Sequence, residues 1–92
     1  MPECEEVVNR SLELLSEVLR KSLDGRFTGA EMELDLFYDK YIPKLETACH
    51  LPPETTKDIK NEASKLFAAI DVWDLKSIKK LSTELMKKLT EI

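Results

Sequence analysis

The sequence predicts an all-α fold, an antiparallel up-down four-helix bundle with its second helix kinked or broken at Pro43. Three observations lead there. Apolar residues recur at three- and four-residue spacings in four separate stretches, the signature of amphipathic helices. Leu, Glu and Lys dominate and only two glycines occur, Gly25 and Gly29, so strong helix formers fill most positions. The stretches, each of roughly 17 to 22 residues, are joined by connectors of about three or four, which leaves room only for antiparallel neighbours.

The first stretch places Val8, Leu12, Leu15, Val18, Leu19 and Leu23 on one stripe. Acids crowd its first turn, Arg20 and Lys21 its last, and Gly25 can follow as the left-handed residue that closes a helix. A helix is expected over about residues 3–24. Glu6/Arg10 and Glu17/Lys21 are i,i+4 pairs in the better orientation, acid first.

In "FTGAEM", Thr28 and Glu31 have the spacing of a capping box, with Phe27 and Met32 as its hydrophobic staple, so a second helix is expected from Gly29. Its stripe of Leu34, Phe37, Tyr38, Tyr41, Leu45, Ala48 and Cys49 runs on through Pro43. A proline inside a helix removes a backbone bond at a cost of roughly 3 kcal/mol, yet the stripe holds its phase, which favours a kink over a break. Leu51-Pro52-Pro53 ends this helix near His50, since proline disfavours α geometry in its predecessor, and Pro53 suits the first position of a third. Ile59, Ala63, Leu66, Phe67 and Ile70 share one face of that helix. After the connector "DVWD", Asp74 suits an N-cap, and Leu75, Ile78, Leu81, Leu85, Leu89 and Ile92 form the last stripe opposite Lys76, Lys80 and Lys87.

Ninety-two residues, 42% hydrophobic and 35% charged, make one globular domain spanning 1–92. No run approaches the roughly 18 apolar residues of a membrane span, and the acidic start "MPECEE" is unlike a secretory leader, so a cytoplasmic location is expected. Two cysteines are no disulfide framework; as free thiols in a reducing compartment they would behave as small hydrophobes. The chain contains no glutamine, a bias found in some heat-adapted proteins.

The net charge of −4 is uneven. Residues 1–46 carry 11 acids and 6 bases, whereas residues 47–92 carry 7 acids and 8 bases. An acidic balance disfavours general polyanion binding, which depends on Lys and Arg neutralising phosphates.

No catalytic constellation emerges, and no metal or cofactor is expected. Cys49-His50 lacks the paired spacings of a zinc site, and the pair reads as core packing followed by a helix stop. Asp35 and Asp39 share a solvated face, and one histidine cannot supply the two Glu-x-x-His pairs of a di-iron bundle. With its two glycines placed as described, the chain has no phosphate loop, nucleophile elbow or EF-hand. The expectation is a non-enzymatic adaptor or regulatory bundle that binds another protein. Its candidate contact residues are Tyr38, Tyr41, Val72 and Trp73, because half-wet tyrosines and a loop tryptophan are typical anchors.

The alternative reading uses the basic face of Lys76, Lys80 and Lys87 against an anionic membrane or nucleic acid, although no arginine or aromatic residue is interleaved there to read bases. Homodimerisation through leftover apolar surface is compatible with either. In size and architecture alone the chain is also similar to cytosolic bacteriocin-immunity proteins, and no functional residue is carried over from them.

Overall fold

The computed structural model describes residues 2–92. Its helices are α1 (Pro2–Leu23), α2 (Phe27–Leu36), α3 (Ile42–Ala48), α4 (Pro53–Asp71) and α5 (Leu75–Thr90), and a π-helical turn over Phe37–Tyr41 joins α2 to α3. The α2–π–α3 segment is one kinked rod, so the molecule is a four-helix bundle, with no strand among the described residues. α1 packs against this rod and α5, and α4 packs against α5 and the rod, the neighbour relation of an up-down bundle. The long dimension of 36 Å is about that of a 22-residue helix with its side chains.

The kink has a local cause. Pro43 has no N–H to give to Asp39, and its ring would strike that carbonyl in a regular helix. The chain widens just before it: the Ile42 N–H donates to Phe37 O, five residues back instead of four. The wider turn also changes the phase of the stripe. Ile42, absent from the expected stripe, is fully buried with Leu34, Phe37 and Leu45, while Tyr41 is only half-buried.

The second helix begins two residues earlier than expected, at Phe27, with Arg26 at the N-cap and no side-chain cap. The expected capping box and staple do not form, for Met32 is 66% exposed and Phe27 turns to another partner. Gly29 serves space instead. A Cβ there would lie 3.2 Å from Cδ of Lys21, whose ammonium crosses from α1 to Glu33 at 2.9 Å. The expected Glu17/Lys21 pair is thus replaced by Lys21–Glu33, and Glu17 takes Arg20 at 2.6 Å. Arg10 likewise pairs with Glu13, at 3.5 Å, rather than Glu6.

The buried centre of α1 is Val7, Ser11, Leu15, Val18 and Ser22, with Val8, Leu12 and Leu19 half-buried beside it and Leu23 exposed. The stripe is therefore one position out of the expected phase along half its length. The Ser11 and Ser22 hydroxyls donate to Val7 O and Val18 O, which satisfies them inside the core. Ala63, Leu66, Ala69 and Ile70 of α4 and Ile78, Ser82, Leu85 and Leu89 of α5 complete the interior.

The cysteines are not free thiols. Cys4, in the first turn of α1, is disulfide-bonded to Cys49 at the end of α3, with Cα atoms 4.9 Å apart. Free-thiol packing of Cys49 is thereby corrected: the residue sits on the stripe, but antiparallel packing brings the start of α1 alongside it. His50 does end the helix, with φ 52°, and the Leu51 N–H closes the turn on Glu46 O.

Candidate functional site

Three helix ends close in the same way. The residue after the C-cap is left-handed at Gly25, His50 and Trp73, and the N–H of the next residue reaches back to the last turn: Arg26 to Lys21 O, Leu51 to Glu46 O, Asp74 to Ala69 O. Glycine takes that conformation freely. A bulky residue does so against a steric penalty of roughly 1–2 kcal/mol. Trp73, φ 57°, is therefore held in a costly conformation between two anchors. Its own N–H donates to Ile70 O at 3.1 Å, and Asp74 caps α5, accepting from the Ser77 N–H at 3.2 Å and the Ser77 hydroxyl at 2.7 Å. Those Ser77 bonds hold the Asp74 carboxyl below the usual carboxylate range.

The rigid connector presents its side chains to water: Val72 is 72% and Trp73 70% exposed. The indole stacks on Phe27, centroids 5.6 Å apart and planes 18° from parallel, across the gap between the α4–α5 and α1–α2 connectors. Leu23 and Leu75, at the same end of the bundle, are also exposed. The result is an apolar tip built from four helix termini, flanked by Asp71 and Asp74.

The other expected contact residues lie elsewhere. Tyr38 is half-buried with its ring edge-on to Phe67 of α4, centroids 6.0 Å apart. Tyr41 is half-buried with the Lys40 and Lys44 ammonium groups 5.9 and 5.4 Å from its ring centroid. Both belong to the π-helical turn, more than about 15 Å along the rod from Phe27 at a rise of about 1.5 Å per residue. The structure thus unites Val72 and Trp73 and leaves the two tyrosines apart from them. Phe27 is the tip residue that sequence reasoning assigned to a staple, and nothing local marks it as the partner of a distant tryptophan.

Lys76, Lys80 and Lys87 are exposed along α5, while Lys88 is ion-paired with Asp58 of α4, which raises its pKa through the carboxylate it bonds. The same face thus carries acids. Asp35 and Asp39 are exposed, as expected of solvated carboxylates. No helix among the described residues is long and apolar enough to cross a membrane. Neither a protein-family model, nor a curated protein, nor a solved structure matches the chain.

Proposed function

We propose that this protein is a small non-catalytic binding module that docks another protein through the Val72–Trp73 tip. The observation that carries the reading is Trp73 itself: a large aromatic held left-handed, stacked on Phe27 and still 70% exposed. Strained, rigid residues that the surrounding structure over-determines concentrate at binding and switch sites, and tryptophan is the residue most enriched among interface anchors. A preorganised anchor also loses little conformational entropy on docking.

The alternative, an anionic membrane or nucleic acid on Lys76, Lys80 and Lys87, is supported by their exposure and weakened by the Lys88–Asp58 pair among them. Salt separates the readings, because phosphate-driven association weakens steeply as salt rises. The disulfide bears on compartment. A cytoplasmic setting fits a cell whose cytosol preserves cystines, as in hyperthermophiles, and otherwise the molecule suits an oxidising compartment.

The test is affinity capture from the native host's lysate, with nuclease and at moderate salt, using the wild type and Trp73→Ser side by side. A protein retained by the first and lost by the second supports the tip. Retention of nucleic acid or lipid alone, released by salt, rejects it for the lysine face.

A further inference from the structure

The outer face of the second rod carries a feature the tip does not use. Met32, 66% exposed, and Leu36, 42% exposed, are one turn apart on α2 and face water. Leu36 lines a groove between α1 and the rod together with Arg10, Glu13, Leu14, Glu17 and Tyr41. Leu14 is only half-buried, so the groove floor is apolar over more than one turn of each helix. Beside Met32 and Leu36 runs a second track: Glu31, Asp35 and Asp39, four residues apart, all exposed and with no basic side chain within 4.0 Å among the described residues. α2 itself contains no Lys or Arg.

We propose that this face is a docking track for a cationic amphipathic helix, distinct from the Val72–Trp73 tip. Apolar residues of the incoming helix at i and i+4 would pack on Met32 and Leu36 and into the groove by Leu14, the helix-in-groove mode. Its lysines or arginines would meet Glu31, Asp35 and Asp39, whose negative charge is uncompensated locally and sits in the half of the chain with 11 acids and 6 bases.

Charge and geometry together select this occupant. A second copy of the chain carries its lysines on α5, whose apolar stripe of Ile78, Leu85 and Leu89 is buried in its own core, so it cannot offer cations and apolar side chains from one helix face. An anionic lipid surface would be repelled by the same three acids.

The probe is a synthetic helical peptide of about 18 residues made of Leu and Lys in amphipathic order, compared with a scrambled peptide of equal charge and a Leu/Glu helix. Binding is read by fluorescence anisotropy and by amide chemical-shift mapping. The expected result is shifts confined to residues 10–17 and 31–41, with affinity lower by at least about tenfold for the scrambled peptide, for Met32→Ser with Leu36→Ser, and for Asp35→Lys with Asp39→Lys. These positions are exposed, and circular dichroism establishes that each variant keeps its helicity. Equal binding of the scrambled peptide, or affinity untouched by the Met32 and Leu36 changes, overturns the proposal. So does a dimer, or binding to phosphatidylglycerol vesicles, that is lost with those same two changes. Trp73→Ser is expected to leave peptide affinity intact; loss of binding in that variant alone overturns the track and leaves the tip standing.

Discussion

Gly25, His50 and Trp73 occupy one backbone well at three successive helix ends, and side-chain chemistry decides what each costs. At Gly25 an added Cβ would meet nothing within 4 Å, so Gly25→Ala isolates the conformational penalty, and a loss of about 1 kcal/mol in denaturant unfolding is expected. The reverse change, His50→Gly, is expected to stabilise by up to about 1 kcal/mol, since His50 is exposed. An unchanged midpoint in both would mean that the turns relax without strain. Asp74 adds a pH dependence. Its folded pKa is depressed by Ser77, so its contribution is present above the unfolded value of about 4 and is lost as pH falls through the folded value. The Tm gap between wild type and Asp74→Ala should therefore be widest at neutral pH and shrink on acidification below about pH 4. The glycine turn and the Asp74 cap were legible in the sequence because they are local chemistry. The left-handed tryptophan was not, because nothing in "DVWD" requires it; the chain adopts it to reverse direction within the few residues between two packed helices.

At the scale of the element, serines show how a stripe is misread. Ser11 and Ser22 look like the polar flank of α1 and yet sit fully buried, where a small side chain lets neighbouring helices approach. Both hydroxyls have carbonyl partners. Ser82 of α5 is equally buried, and its hydroxyl has no partner. Burying a hydroxyl unpaired costs roughly 1–3 kcal/mol, and alanine is the better helix former. Ser82→Ala should therefore raise stability by about 1 kcal/mol, while Ser11→Ala should be close to neutral; equal effects from the two would show that Ser82 finds a partner in solution. The kinked rod divides in a similar way. Pro43 marked the place of the distortion, but the wider turn over Phe37–Tyr41 decided that Ile42 rather than Tyr41 enters the core. A residue added to one turn rotates everything after it, and a fixed helical period cannot register that.

For the whole molecule, the Cys4–Cys49 bond ties the start of α1 to the end of α3 across 45 positions of chain. Closing a loop of that length removes unfolded-state entropy worth up to roughly 4 kcal/mol. Reduction, or Cys4→Ser with Cys49→Ser, should lower Tm markedly and raise amide exchange first in the opening turn of α1 and around residues 49–52; a Tm insensitive to reductant would remove the bond from any part in stability. The tip and the acidic track are likewise products of assembly, since each gathers residues from helices distant in sequence. What the sequence by itself determined is the number of helices, their approximate ends, the site of the kink and the acidic bias of the first half, because periodicity, capping and charge act within a turn or two of chain. Tertiary structure alone decided which side of each stripe faces inward, that the two cysteines meet, that Trp73 rests on Phe27, and that Met32 and Leu36 stay outside. Those outcomes depend on which helices are neighbours and how closely they approach, and a side chain's burial is settled by what packs against it.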